Sequence, residues 1–506
     1  MLARVRSAGL HGIHAACVWV EVDVVNGLPS FATVGLPDSS VRESRDRIRA
    51  AIKNSGFTFP IERITVSLAP ADMRKEGPAF DLPMAIGILV TTEVVKPALL
   101  EGSVMVGELS LDGSVRAVRG ALPMALRCRQ EGIARLFVPP ANAAESAAVS
   151  GVDVIPVASL REAVEYLNGE RALVAATPPA MAPAPEGCGE VDFSEVRGQS
   201  HAKRALEIAA AGAHNVLMIG PPGAGKTMLA RRLPTILPPP TLEEAIEIST
   251  VWSVAGLLSA RVGLMTTRPF RAPHHTVSHS ALVGGGGLPH PGEVSLAHLG
   301  VLFLDELPEF SRRALESLRQ PLEEGQVMVT RTAGSADFPA HFQLVAAANP
   351  CRRACRSIDH CACTPAEREH YLGRLSGPLL DRIDLHLELP PVEVAALTGE
   401  TREESSATIR ARVMTARARQ AARFEGTPLR VNAHIGPRLL RRWCAPSPDA
   451  ARLLARAVSR LGLSARAYHR ILRVARTIAD LTGSVGVTAE HVAEAVQYRT
   501  LDRTAG

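Results

Sequence analysis

Gly220-Pro221-Pro222-Gly223-Ala224-Gly225-Lys226-Thr227 fits the pattern G-x-x-x-x-G-K-[ST] at every position, and its flanks decide how it is read. Val216-Leu217-Met218-Ile219 before it has the character of a buried strand, and Met228 to Leu233 after it continues as a helix. Strand, glycine-rich turn and helix in that order are what a phosphate-binding loop requires. The glycines let successive backbone N–H groups point inward around a triphosphate, and the helix N-terminus adds partial positive charge. Lys226 can reach the β- and γ-phosphates, and the Thr227 hydroxyl can ligate Mg²⁺. The loop therefore implies a nucleoside triphosphate, with ATP and Mg²⁺ as the expected ligands.

Two more apolar runs end in polar side chains. Val301-Leu302-Phe303-Leu304 runs into Asp305-Glu306, the form of a strand that presents one carboxylate to the Mg²⁺ shell and a second to the attacking water. Leu344 to Ala348 ends in Asn349, which can orient the same water or touch the γ-phosphate. Lys226, Glu306 and Asn349 are the catalytic candidates, and residues 220–227 with Asp305 are the nucleotide and metal candidates. Three such strands imply a doubly wound α/β core and an ATPase.

The bulk composition narrows the rest. A chain of 506 residues, 46% hydrophobic, supports two to four domains with ordinary cores. No run reaches about 18 uninterrupted apolar residues, so no transmembrane helix is expected. The N-terminus lacks a charged-then-apolar signal pattern, which points to a cytoplasmic protein. Residues 405–506 hold 18 Arg, no Lys and 6 acidic residues, a net +12 against +5 for the whole chain. Either this region meets a polyanion, or Arg is simply the habitual cation of a chain with five lysines.

Composition also divides the chain. Residues 171–190 form a Pro/Ala linker that cannot build a core. Residues 1–170 before it alternate strands (Cys17–Val25, Arg63–Leu68) with helices (Val41–Ser55, Leu82–Val90, Ala121–Gln130, Leu160–Leu167). Ser103 to Val118 reads as a hairpin turning at Asp112-Gly113. Residues 191–395 are the nucleotide-binding core, and 396–506 are almost wholly helical, with helices expected at 405–423, 448–461, 465–481 and 488–498.

The order of phosphate loop, acidic strand, Asn strand and helical C-terminus resembles an AAA+ ATPase core with a helical lid. The resemblance extends to the magnesium-chelatase-like AAA+ family. It is carried by Gly198-Gln199 with Lys203 to Gly212, by Arg271-Ala272-Pro273-His274-His275, by Leu282 to Gly286, by Pro291 to His298, and by Ser376 to Leu385. It covers essentially the whole chain and implies Gln199 as a nucleotide neighbour. It also implies Arg382 as an arginine finger acting on the next subunit, unless Arg382 merely pairs with Asp381 or Asp384. Arg466 is implied as a lid arginine on the same subunit's nucleotide, with Arg470 as its rival. Such a finger requires a ring, by resemblance a homo-hexamer.

The N-terminal region is similar to the α/β fold of the Lon protease catalytic domain, without its dyad. The serine position of that fold's Gly-Pro-Ser-Ala-like turn is Ala79 here, and Gly120 to Leu126 contains no Lys, so the dyad chemistry cannot run. Cys351, Cys355, Cys361 and Cys363, with His360 beside them, form either a structural Zn²⁺ cage or a set of free thiols.

The resemblance implies a helicase that promotes branch migration in recombination during natural transformation. Its DNA contacts would be branched or single-stranded and not sequence-specific. Gly284–Gly287 and Pro291–His298 would form the pore-side insertion, and basic lid arginines with an Arg331-bearing hairpin would supply phosphate contacts. A protein-remodelling ATPase and a chelatase-type ATPase subunit are the alternatives.

Overall fold

A computed structural model describes residues 2–179, 191–286, 289–331, 334–353, 355, 361–375, 377–391 and 403–499. Outside them lie most of the Pro/Ala linker, Gly287 of the glycine-rich segment, His360 and Ser376. The start of the C-terminal region at 396–402 lies outside as well.

The N-terminal part opens with β1 (Leu2–His11), β2 (His14–Val25), β3 (Ser30–Val34), α1 (Ser39–Asn54), β4 (Arg63–Ala69) and α2 (Asp81–Thr91). Its first sheet has the order β1-β2-β4-β3, antiparallel except for the β3–β4 pair. Val18, Val20 and Val22 of β2 face inward and Trp19 faces out, as the period of two demands. The inner face is covered by α1 and by α2, whose residues 81–90 are all buried.

There follow β5 (Ser103–Met105), β6 (Glu108–Leu109), β7 (Val115–Arg116), α3 (Ala121–Gln130), β8 (Arg135–Val138), α4 (Pro140–Ala147), β9 (Asp153–Pro156) and α5 (Leu160–Leu167). The expected hairpin at 103–118 is shorter than its pattern. Gly113 turns it at φ 86°, with Ser114 N–H donating to Asp112, but only β6 and β7 pair across it. β5 is buried at all three residues and joins a separate parallel sheet, β5-β8-β9, because helices cover it.

The central part comprises α6 (Ser200–Gly212), β10 (Val216–Ile219), α7 (Lys226–Ile236), α8 (Leu242–Ala255), β11 (Phe270–Arg271), α9 (His279–Val283), α10 (Glu293–Leu296), β12 (Val301–Leu304), α11 (Arg312–Ser317), α12 (Arg319–Glu324), β13 (Gln326–Arg331), β14 (Gly334–Pro339), β15 (Gln343–Ala348), α13 (Pro365–Leu372), α14 (Gly377–Leu380) and β16 (Leu385–Glu388). Five strands form one parallel sheet, β11-β12-β15-β10-β16. β10, β12 and β15 are buried along their whole length, which is why they read as unbroken apolar runs. The chain is thus mixed α/β with parallel sheets. The N-terminal part is docked on it: Gly120 N–H donates to Ser253 O of α8, and Leu10 and Ile13 at the β1–β2 tip pack against the apolar cluster that holds β14.

The last helices are α15 (Ser406–Arg423), α16 (Pro437–Trp443), α17 (Pro448–Leu461), α18 (Ala465–Thr482) and α19 (Ala489–Gln497). They share one apolar core with α6 and α7. Arg417 donates to Ala210 O and Gln420 to Ala211 O, both at the end of α6 that precedes β10. The helices therefore sit toward the N-terminal ends of the strands. The phosphate loop lies at the other end of the same strands. Among the described residues no helix is long and apolar enough to cross a membrane.

Candidate active site

The parallel sheet gathers the three polar strand ends on one side. β10 runs through the turn 220–225 into α7, with Gly223 and Gly225 at φ 79° and 86°, where a Cβ would be strained. Lys226 opens the helix and is buried. Its ammonium donates to Gly220 O at 2.6 Å, Pro221 O at 3.0 Å and Asn349 Oδ1 at 3.0 Å. All three N–H donors are matched by acceptors that phosphate oxygens can replace. Burial lowers the pKa of Lys226, against the pull of Asp305 and Glu306. Gln199 caps α6 in a left-handed conformation, and its amide reaches Pro390 O at 3.0 Å and Ala224 O of the loop at 3.5 Å.

Thr227 Oγ1 donates to Asp305 Oδ2 at 2.7 Å, so one hydroxyl and one carboxylate, from two different strand ends, converge on one point. That hard-oxygen pair suits Mg²⁺ held partly by water and phosphate. Glu306 follows in a left-handed backbone conformation at φ 53°, half-exposed, with its Oε2 3.2 Å from His275 Nδ1.

The arginines lie elsewhere. Asn215, just before β10, donates to Arg382 O, which puts Arg382 at the N-terminal end of the strands. The four residues of β10 alone set about 13 Å between that end and the phosphate loop. The Arg382 guanidinium, largely buried, pairs with Glu323 of α12 and with Pro378 O rather than with Asp381 or Asp384. Arg466, mostly exposed, has Asp381 Oδ2 at 3.8 Å, beside Arg382. The expected contact of Arg466 with its own subunit's nucleotide is therefore corrected: both arginines occupy the edge away from the loop. Arg470 is committed to the buried Asp384, to which His214 Nδ1 is 3.4 Å distant.

Comparison with known proteins places this arrangement. The model for magnesium chelatase, subunit ChlI, matches residues 192–397, that for subunit ChlI of Mg-chelatase matches 20–142, and that for the ChlI C-terminal region matches 403–499. The chain is 45% identical over 508 residues to "Competence protein ComM" of Haemophilus influenzae, covering 99% of this chain and 98% of that one. The chain belongs to the magnesium-chelatase-like ComM family. It is also 44% identical over 503 residues to "Uncharacterized protein YifB" of Salmonella typhimurium, covering 99% and 98% of the two chains. Similarity to the magnesium-chelatase 67 kDa subunit of Chlorobaculum tepidum is 26% over 225 residues, 42% of this chain and 30% of that one. At the level of the family, this ComM-type chain is an AAA+ ATPase.

The ComM-type chain has two further features. Cys351, Cys355, Cys361 and Cys363 bring their sulfurs within 4.8 Å of one another, close to the roughly 3.8 Å that four Zn–S bonds of ~2.3 Å would impose. The group can hold a metal ion. Burial, with hydrogen bonds among the thiols, pushes Cys351 up to about 12, a penalty a divalent cation would reverse. The second feature is a cavity of ≈ 1050 Å³ where the N-terminal part meets the ATPase core. Ala79 and Met124 line it on one side, and Pro289, His290 and Ser335 on the other.

Sequence reasoning gave His275, Glu323 and Tyr371 no role. His275 sits inside the quoted Arg271-to-His275 motif, so its signal was present but unread. Glu323 and the buried Tyr371, which lies near Glu306 and Cys351, reach the site only through tertiary packing.

Proposed function

We propose that this protein is a ring-forming, ATP-hydrolysing motor on DNA, a helicase that promotes branch migration of recombination intermediates in natural transformation. The observation that carries the reading is the separation of Arg382 and Arg466 from the phosphate loop of their own chain. An arginine that stabilises charge on a transferring phosphoryl must lie against it. From this edge it serves a neighbouring copy, so the working form is a homo-hexameric ring in the cytoplasm. Lys226 and residues 220–225 bind ATP with Gln199 alongside, Thr227 and Asp305 hold Mg²⁺, Glu306 polarises the water, and Asn349 orients it.

DNA as substrate is supported by the likeness to a competence protein and by where the surplus arginines lie. Several are consumed in ion pairs within the chain: Arg412 pairs with Glu207, Arg423 with Asp480 and Arg470 with Asp384. Arg438, Arg441, Arg442, Arg452, Arg456 and Arg460 on α16 and α17 are exposed, a basic face suited to phosphates rather than bases. The domain division at 171–190 and 396, the structural Zn²⁺ in the cysteine cage, and the Lon-like N-terminal domain as a non-catalytic assembly module belong to this reading. The test is a labelled four-way junction incubated with ATP. Branch migration by the wild type and none by Glu306→Gln supports it. An ATPase that leaves every junction intact refutes it.

A further inference from the structure

A smaller cleft, of ≈ 240 Å³, lies at the N-terminal ends of β12 and β15, between α8 and the C-terminal region. Three arginines and two glutamates line it, and four of these five charges are matched. Arg268 donates to Glu244 at 2.6 Å and to the carbonyls of Pro238 and Leu299, and Arg430 donates to Glu247 at 2.6 and 3.2 Å. Arg417 is the cation left over. Its Nε and Nη2 both donate to one acceptor, Ala210 O, and among the described residues no carboxylate pairs with it. A guanidinium carries more N–H groups than that one carbonyl can take. Two imidazoles face the same space: His341 and His434 lie ring to ring at 5.5 Å, and neither ring is hydrogen-bonded within the described chain. His298 behind them is committed. Its Nδ1 accepts the His341 backbone N–H at 3.1 Å, which leaves its Nε2–H for Glu247 at 3.5 Å. The electrostatics agree with this count. Burial, and then Arg268, lower the pKa of Arg417 to about 9 against the pull of Glu244. Burial, and then His341, Arg417 and Arg473, bring His434 down to about 4.

We propose that this cleft binds a small oxyanion of the phosphate class, gripped by Arg417 with the imidazoles of His341 and His434 as further donors. A planar guanidinium fork matches two oxygens of one oxyanion, a geometry that a chloride ion does not offer. The two carboxylates on the walls are each neutralised by an arginine, so Arg417 sets the net charge of the site. At ≈ 240 Å³ the space is below the roughly 300–1,000 Å³ of drug-sized ligand sites, which favours a phosphate group over a nucleoside triphosphate. The ion would join parts of the chain that are distant in sequence. Arg417 and His434 belong to the C-terminal region and His341 to the start of β15, so a bound phosphate bridges that region to the ATPase core. The site stands whatever polymer the motor works on.

The experiment follows the thermal midpoint of the full chain against inorganic phosphate, with chloride keeping the ionic strength constant. A ligand of the folded state raises that midpoint as its concentration rises. The phosphate loop can also take phosphate, so wild type is compared with Lys226→Ala, Arg417→Met and His434→Leu. Losing a charge-assisted hydrogen bond weakens binding by roughly tenfold or more, so the Arg417→Met response should need about ten times more phosphate. His434→Leu should weaken it in the same direction, and Lys226→Ala should retain it. Midpoints in chloride alone show whether each variant folds; if Arg417→Met does not, His434→Leu decides. No phosphate response in the wild type overturns the site, and so does one that is lost in Lys226→Ala and unchanged in both cleft variants. A single-stranded oligonucleotide without terminal phosphate separates the sources of the anion. Protection by it that needs Arg417, with none from inorganic phosphate, assigns the cleft to a nucleic-acid backbone and overturns the small oxyanion.

Discussion

Lys226 and Asn349 meet across the ends of neighbouring strands, the ammonium of one donating to the side-chain carbonyl of the other at 3.0 Å. The lysine is therefore not free: it is held by Gly220 O, Pro221 O and the residue expected to orient the attacking water. Phosphate oxygens entering the loop would take over the lysine and release Asn349 toward the γ-phosphate. On the proposed reading, this contact would couple binding to the readiness for hydrolysis.

Two substitutions separate those steps. Lys226→Ala removes a charge-assisted contact with phosphate and should weaken ATP binding by roughly 10- to 100-fold. Glu306→Gln should bind ATP with near wild-type affinity and lose on the order of 10²-fold or more in turnover. Titration with a fluorescent ATP analogue and steady-state hydrolysis measure both. Equal loss of binding in the two variants would remove Glu306 from the catalytic role.

Arg382 should act between subunits. Arg382→Ala alone should lose roughly 10³-fold or more in rate. Mixing it with Lys226→Ala should recover part of the activity, because some interfaces then pair an intact loop with an intact finger. Mixed rings shown to form, yet as inactive as each parent, would contradict a finger in trans.

The buried pair of Arg470 and Asp384 should matter for stability and not for nucleotide affinity. Burial pushes the Asp384 carboxyl up, while Arg470, His214 and Arg473 pull it further down, well below the usual carboxylate range. A depressed carboxyl stabilises the fold above the ordinary value near pH 4, and the contribution is lost as acid protonates it. Arg470→Ala removes the nearest countercharge of a buried carboxylate that keeps Asn215 N–H and His214 beside it, and should cost about 3 kcal/mol. Urea unfolding at neutral pH and in acid should show the deficit shrinking as pH falls.

The cysteine cage predicts metal. Protein purified without chelator should carry about one zinc per chain, measured by elemental analysis, and Cys363→Ser should lose it. Cobalt substitution should give thiolate charge-transfer bands. A metal-free wild type, isolated under reducing conditions, would leave the four sulfurs as free thiols.

The candidate nucleotide site was legible because its chemistry is local. The loop, the two carboxylates and Asn349 are each written within one strand end, and a buried parallel strand announces itself as an apolar run. The short partners were not: β8 and β9 have four residues each, and β1, ten residues long, alternates too weakly to stand out. Where the C-terminal helices pack was also invisible. Their amphipathic faces say that they are covered but not by what, and the answer, α6, lies some 200 residues away in the chain. That packing moves Arg466 to the far edge, a consequence no spacing in the sequence contains.

The measurement that tests the central claim most directly is the ATP hydrolysis rate with no polymer, single-stranded DNA, forked DNA and a four-way junction, paired with binding across a salt series. A motor on branched DNA should hydrolyse fastest with the junction or fork and respond little to base sequence. Its log affinity should fall against log salt by roughly 0.7–0.9 per phosphate contact, and less steeply once Arg441 and Arg442 are replaced. A rate that ignores every DNA form, with no binding at low salt, would contradict the account and favour a motor that remodels protein.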